Sequence, residues 1–166
     1  MKSIVQKINK GFYYGWVIVV LSGMALFLSA PGQTYSIGVF INVYKEEFGL
    51  SSTLISSAYS IATIMSGLLL VFMGRAIDKF GARKMLVIVT VMLAITAFYN
   101  SFVSSIYMIF FGFLFLRYFG QGSMTLIPGT LVPQWFEKRR ALAISLATLG
   151  GLLAMLTVPS LNLWLI

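Results

Sequence analysis

The stretch GRAIDKFGARK, at residues 74–84, interrupts a long apolar run and decides how this sequence is interpreted. It holds two glycines, Gly74 and Gly81, one acid, Asp78, and four bases. Apolar segments of membrane-spanning length precede and follow it. Because bases beside membrane spans collect on one side of a bilayer, this pattern predicts a short basic loop between two spans.

The composition indicates an integral membrane protein. Hydrophobic residues make up 59% of the 166 residues and charged residues only 10%. Soluble domains carry about 25% charged residues. A helix needs about 20 apolar residues to cross the hydrocarbon layer of a bilayer. Runs without any charged residue reach or approach that length at 11–44, 48–74, 85–116, 118–136 and 141–166.

Charge and residue usage exclude several function classes. The net charge is +8, but the bases stand in short clusters beside apolar runs, which does not indicate nucleic-acid binding. The chain has no histidine, no cysteine and only four carboxylates. These residue types supply most acid–base, nucleophilic and metal-ligand chemistry. We therefore predict no catalytic residues, no metal site, no cofactor and no enzymatic activity.

The apolar runs predict an all-α, polytopic membrane protein with five transmembrane helices. Residues 85–133 contain a single charge, Arg117, and would form a helix of about 74 Å, too long for one crossing. The polar residues at 100–105 therefore predict a turn. The predicted spans are about 14–39, 54–73, 85–103, 107–131 and 141–166.

The distribution of bases predicts the orientation. The first loop, 44–52, holds Lys45 alone, and the third loop holds none. The positive-inside bias therefore predicts a cytoplasmic N-terminus, in a plasma or inner membrane. We also expect Ile4, Ile8 and Phe12 to form a short interfacial stripe. Ten bases lie in the N-terminal segment and in the second and fourth loops: Lys2, Lys7, Lys10, Arg75, Lys79, Arg83, Lys84, Lys138, Arg139 and Arg140.

The basic stretch at 74–84 resembles the signature loop of the major facilitator superfamily. That loop reads glycine, three residues, aspartate, a base, any residue, glycine and further bases. Asp78 is placed to meet a helix N-terminus or a base, and the bases are placed to anchor the turn at anionic headgroups. The resemblance implies a conformational latch made by Gly74, Asp78, Lys79, Gly81, Arg83 and Lys84.

Two further segments resemble the monocarboxylate-porter and oxalate–formate-antiporter branch of that superfamily. They are WFEKRR at 135–140, followed by a helix rich in small residues, and YGW at 14–16. The superfamily fold has two six-helix halves with a substrate site at the midplane. The resemblance implies that the five predicted helices form most of the N-terminal half.

By the same resemblance, the chain is a fragment of a secondary transporter that works by alternating access. A sixth helix and a C-terminal half would complete it, and its other partners would be the lipid bilayer and a small-molecule substrate. That substrate would be a small organic anion such as a monocarboxylate. The alternative is a small membrane protein that does not transport and acts as an assembly or regulatory partner.

Arg117 is the main candidate for substrate binding. It lies about 15 Å into the fourth predicted span, near the middle of the bilayer. A cation there costs at least about 2.5 kcal/mol, so it requires a partner. Guanidinium binds carboxylate through two parallel hydrogen bonds, which favours an anion site. A purely structural arginine would instead meet carbonyls near Gly120, Gly122 and Pro128, or the side chains of Gln33 and Asn42.

Gln33 and Tyr35 are the other candidates, together with Thr34 between them, because Pro31 and Gly32 beside them predict a bend in the first span. The three side chains line either a cavity at that bend or the outer mouth of the protein.

Small residues recur at intervals of four in two predicted spans, which lets helices approach closely. The residues are Ala58, Ala62 and Ser66 in the second span and Ala143, Ala147 and Gly151 in the fifth. The resemblance to the superfamily implies that the second and fifth helices face the opposite half, so we expect these stripes to be surfaces that slide against it, unless the spacing arose by chance.

Overall fold

The computed structural model describes residues 13–165, except for the side chain of Asn42. The predicted stripe of Ile4, Ile8 and Phe12 therefore lies outside the described residues. Within 13–165 every regular element is a helix, which confirms the all-α class.

The helices fall into five groups that correspond to the five predicted spans, and two of these groups are interrupted. Among the described residues, three helices are long and apolar enough to cross a membrane alone, namely α3, α4 and α7 as defined below. The first span consists of α1 and α2, joined by a short 3-10 turn, and the fourth consists of α5 and α6, joined by a π-helical segment. In order the elements are α1 Gly15–Leu28, the 3-10 turn Ala30–Gly32, α2 Thr34–Phe48, α3 Ser52–Phe80, α4 Ala82–Asn100, α5 Ile106–Phe115, the π-helical segment Leu116–Ser123, α6 Met124–Trp135 and α7 Arg140–Leu165.

Local chemistry accounts for both interruptions. In the first span, Pro31 cannot donate a main-chain hydrogen bond, and its ring disfavours continuation of the helix. Gln33 follows in an extended conformation with ψ of 151°. In the fourth span, the Ser123 hydroxyl donates to the Tyr118 carbonyl at 2.7 Å, across five residues. Pro128 also leaves a main-chain carbonyl of that span without its usual helical donor.

The basic stretch at 74–84 is mostly helical, contrary to the prediction of a loop. Helix α3 continues through Gly74 to Phe80, and only Gly81, with φ of 86°, separates it from α4. A glycine inside a helix costs about 1 kcal/mol relative to alanine and need not end it. At 29 residues α3 is about 44 Å long, so its charged last turns extend beyond the hydrocarbon layer.

The first loop is also shorter than the predicted 44–52. Helix α2 runs to Phe48, so Lys45 and two acids belong to its last turns. Gly49 ends the helix in the left-handed region with φ of 61°. Ser51 then caps α3, because its Oγ accepts a hydrogen bond from the Leu54 amide at 3.2 Å.

The small-residue stripes pack inside the described bundle, so the prediction of sliding surfaces is wrong for their buried members. Ala143 and Ala147 of α7 are fully buried and share a hydrophobic cluster with Ile18 and Val19 of α1. A Cβ at Gly150 would collide with the main chain of Gly23, so α1 and α7 touch through their backbones. In the second span, Ala62 and Ser66 are likewise buried.

Candidate functional site

The two interrupted spans cross where their helices are broken. A Cβ at Gly32 would lie 2.6 Å from the Gly120 Cα and 2.9 Å from the Gln121 nitrogen. A Cβ at Gly120 would in turn lie 2.9 Å from the Gly32 nitrogen and 3.2 Å from the Ser29 carbonyl oxygen. Glycine at both positions therefore allows main chain to pack on main chain. We call this contact between Ala30–Gly32 and Leu116–Ser123 the crossing.

Arg117 lies on the π-helical segment of the crossing and connects three spans. Its side chain is buried, and Nη1 donates a hydrogen bond to Thr34 Oγ1 at 3.0 Å. Its guanidinium carbon lies 5.1 Å from the centre of the Tyr59 ring. The Tyr59 hydroxyl donates to the same Thr34 oxygen at 3.2 Å. Thr34 therefore accepts from both Arg117 and Tyr59.

The charge of Arg117 is not neutralised by a carboxylate within the described part of the chain. Among residues 13–165 the Arg117 side chain has no ion pair and no hydrogen bond beyond the one to Thr34. The carbonyls near Gly120 and Gly122 and the Gln33 side chain, which a structural role would use, are not its partners. Several guanidinium N–H groups thus remain for an anionic acceptor, since the group carries five donors.

Tyr59 is itself held in place by aromatic packing. Its ring meets that of Phe113 edge-on, with centres 5.7 Å apart, and Phe113 meets Tyr44 at 6.0 Å. Phe113 is almost fully buried. The face of the Tyr59 ring therefore stays directed at Arg117, where a cation–π interaction stabilises the charge. Sequence reasoning missed both Thr34 and Tyr59 as partners of Arg117.

Gln33 and Tyr35 line a cavity of about 320 Å³ between the first, fourth and fifth spans. Gln33 Nε2 donates to Ser29 Oγ at 3.0 Å, and the buried Tyr35 hydroxyl has no partner among the described residues. Thr125 and Thr148 add two more hydroxyls. The structure brings Gln33 and Tyr35 together in a neutral cavity whose lining is otherwise largely apolar, including Leu26, Leu152 and Met155, and Arg117 is not part of that lining.

The charged residues of the basic stretch at 74–84 differ in the contacts that their side chains make. Asp78 is exposed and makes no ion pair or side-chain hydrogen bond within the described residues. The guanidinium of Arg83 instead stacks 5.8 Å from the Tyr14 ring and 6.0 Å from the Trp135 ring. Lys79 lies 5.4 Å from the ring of its neighbour Phe80. Among the charged side chains of the stretch, Arg83 is therefore the one with a ring contact to other helices of the described bundle.

The remaining residues of that stretch have simple positions. Gly74 lies within α3, Gly81 lies between α3 and α4, and Lys84 is exposed in the first turn of α4. Within residues 13–165 there is no group of three or more His, Cys, Asp or Glu side chains that could hold a metal ion.

Comparisons with known proteins identify the family. The family model described as Major Facilitator Superfamily matches residues 13–166. Monocarboxylate transporter 9 of Mus musculus is 28% identical over 157 residues, which cover 92% of this chain and 30% of the relative. The Gallus gallus protein of the same name is 27% identical over 149 residues, covering 90% and 29%. The chain thus spans less than a third of the length of these curated relatives, and no solved structure matches it. Because the family match covers nearly all of it, the chain belongs to the Major Facilitator Superfamily.

Proposed function

We propose that this chain is part of a secondary transporter for small organic anions and that Arg117 binds the anionic group. The observation that carries the proposal is a buried guanidinium at the crossing of two broken spans, with a hydroxyl and an aromatic ring as its protein partners. A charged side chain inside a membrane protein usually marks a substrate or ion pathway. A site with spare donors and an unneutralised positive charge favours an anion.

A carboxylate suits this site because guanidinium can hold it by two parallel charge-assisted hydrogen bonds. The names of the relatives in mouse and chicken specify monocarboxylates, which agrees with that chemistry. We further propose that the neutral cavity with Gln33 and Tyr35 accepts the uncharged polar part of the substrate. Its hydroxyl and amide groups can bind such a part without adding charge.

Transport would proceed by alternating access between two halves around a midplane site. We propose that a sixth helix and a C-terminal half, outside this chain, supply the opposing surface. The length of the relatives supports this, because the chain matches about 30% of them. The alternative of a non-transporting assembly or regulatory partner is supported by no contact in the described residues.

The basic end of the bundle, which carries Arg75, Lys79, Arg83 and the bases at 138–140, is proposed to face the cytoplasm of a plasma or inner membrane. The N-terminus lies on the same side in this proposal. The stretch at 74–84 would act as a conformational latch. Arg83 is engaged with aromatic rings here. Asp78 would find its partner in another conformation of the transport cycle.

The test uses a complete transporter that contains residues 1–166, reconstituted in liposomes and assayed for uptake of lactate, formate and oxalate. We expect saturable uptake of at least one of these anions. Arg117→Gln should raise its KM about 10- to 100-fold, because a hydrogen bond to a charged group contributes about 1.5–3 kcal/mol. Arg117→Lys should be intermediate, since it keeps the charge but loses the bidentate geometry.

Arg75→Gln is the matched control, because it removes an exposed base from the basic end. It should leave KM within about two-fold of wild type, as expected for a surface charge. Unchanged KM in Arg117→Gln for every transported anion would contradict the assignment of Arg117. Uptake of neutral solutes only would contradict the substrate class. The 166-residue chain alone should insert but give no saturable uptake.

A further inference from the structure

A different cavity, of about 350 Å³, opens at the basic end, where α1 begins and α6 ends. Four aromatic side chains form one wall, namely Tyr13, Trp16, Trp135 and Phe136. The turn at 137–139 forms the other wall with one acid and two bases, Lys138 and Arg139. The transport site described above uses none of these residues.

The aromatic wall is already assembled. Phe136 is buried and meets Trp16 at 5.1 Å and Tyr13 at 5.3 Å between ring centres, both edge-on. The Tyr13 hydroxyl donates a hydrogen bond to the Trp135 carbonyl oxygen. The start of the first span and the end of the fourth are therefore tied together around the cavity.

The charge around the cavity favours an anion. Lys138 and Arg139 are exposed and immediately precede α7, whose first residue is Arg140 and whose first turn has no acid. The N-terminus of a helix carries partial positive charge and unpaired main-chain N–H groups. Three bases thus adjoin the positive end of a 26-residue helix. Glu137 is the one acid in the cavity wall, and within the described residues it forms no ion pair.

The position of the cavity identifies the source of that anion. Tryptophan and tyrosine collect at the headgroup level of a bilayer, and basic pockets at helix ends bind anionic lipid headgroups. Arg83 stacks on Trp135 and adds a further base behind the aromatic wall. We propose that this cavity binds the phosphate headgroup of an anionic phospholipid, with Lys138 and Arg139 on the phosphate and the aromatic rings against the glycerol and upper acyl chain.

The three tryptophans of the chain allow a direct test. Trp16 and Trp135 line the cavity, whereas Trp164 is 82% exposed near the opposite end of α7. In the chain with Trp164→Phe, placed in nanodiscs, all tryptophan fluorescence therefore comes from the two residues that line the cavity. Brominated phosphatidylglycerol, titrated at constant total lipid, should quench its fluorescence at a lower mole fraction than brominated phosphatidylcholine. Equal quenching by both lipids would overturn the proposal.

The matched variants separate this cavity from general attraction to an anionic surface. In the Trp164→Phe background, Lys138→Gln with Arg139→Gln should lower the preference for phosphatidylglycerol by about five-fold per base, the value typical of a base near an anionic membrane. Arg75→Gln with Lys79→Gln removes the same charge from the same end outside the cavity. An equal loss of preference in both double variants would show that the cavity does not bind phosphatidylglycerol specifically.

Two further measurements complete the test. Excess inorganic phosphate should leave the quenching unchanged if the ligand is a lipid, and displacement of the brominated lipid by phosphate would show a site for free phosphate instead. Glu137→Gln removes the acid of the cavity wall and should strengthen the preference for phosphatidylglycerol. If the variant with Lys138→Gln and Arg139→Gln does not insert, Glu137→Gln alone still tests the proposal. A preference for phosphatidylglycerol equal to that of the Trp164→Phe chain would then count against it.

Discussion

Gly32→Ala is the substitution that most directly tests the crossing of the two broken spans. The added Cβ would lie 2.6 Å from the Gly120 Cα and 2.9 Å from the Gln121 nitrogen, and it would also meet the Leu116 carbonyl oxygen. All three atoms belong to the main chain, so no side-chain rotation can make room. The first and fourth spans must separate by at least about 0.8 Å to bring the Gly120 contact from 2.6 Å to the 3.4 Å of an ordinary contact, and by more to clear the Leu116 carbonyl oxygen, which is closer still.

The expected cost follows from overpacking. Forcing an extra carbon into a tightly packed core typically costs about 1–3 kcal/mol. For a chain of this size each kcal/mol lowers the melting temperature by about 2–4 °C, so the middle of the range predicts a fall of roughly 6 °C. The matched control is Gly38→Ala in α2, where a Cβ has nothing within 4 Å. Because alanine is the better helix former by about 0.5–1 kcal/mol, this control should melt slightly higher than wild type.

Thermal unfolding followed by tryptophan fluorescence in detergent measures both variants against wild type. If Gly32→Ala melts at or above the temperature of Gly38→Ala, the first and fourth spans do not pack main chain on main chain. A further variant, Gly120→Ala, approaches the same contact from the other span and should show a similar loss.

Three further predictions use transport or labelling. In a complete transporter, Tyr59→Phe keeps the ring over Arg117 but loses the hydroxyl bond to Thr34, so KM should rise about five-fold, the effect of one hydrogen bond. Tyr107→Phe, at an exposed ring, should leave KM unchanged. An equal rise in KM in the two variants would show that the Tyr59 hydroxyl does not help to position Thr34 and Arg117. A single cysteine replacing Ser52 should react with an impermeant reagent only from outside, and labelling only from inside would reverse the topology. Asp78→Asn should slow transport about two- to five-fold without preventing insertion, since a carboxylate near a helix N-terminus contributes about 0.3–1 kcal/mol. Transport at the wild-type rate would contradict the latch role of Asp78.

The general fold is predictable from this sequence because membrane spans depend on local properties. Length and lack of charge are sufficient to identify α3, α4 and α7, which are the three helices that can cross a membrane alone. Helix ends are harder to predict. Gly74 and Gly81 are equivalent in the sequence pattern, yet only Gly81 adopts a positive φ, and α3 continues through Gly74. Whether a helix ends at a glycine depends on where the following chain must turn, which is a tertiary property.

The candidate site was only partly predictable for the same reason. Arg117 stands out as a lone charge in a long apolar run, so sequence alone identifies it. Its partners Thr34 and Tyr59 lie 83 and 58 positions away along the chain, and no local pattern links either of them to Arg117. The sequence predicts that the stripe with Ala147 faces the opposite half of the transporter. Small-residue spacing indicates that another helix approaches closely, but not which helix it is. In the structure that neighbour is α1.

The energetics of Arg117 show why neutral partners would suit the proposed anion site. Placing the cation in the bilayer costs at least about 2.5 kcal/mol. The interaction with the Tyr59 ring stabilises the charge by about 0.5–2 kcal/mol, and the hydrogen bond to Thr34 stabilises it by about 1.5–3 kcal/mol. The two contacts together contribute about 2–5 kcal/mol, which is of the same order as the minimum cost of burying the charge. A carboxylate of the protein would pair with Arg117 and compete with the substrate, whereas Thr34 and Tyr59 stabilise the charge and leave N–H donors free. Under the proposed function, an anion could then bind Arg117 and still be released, as alternating access requires.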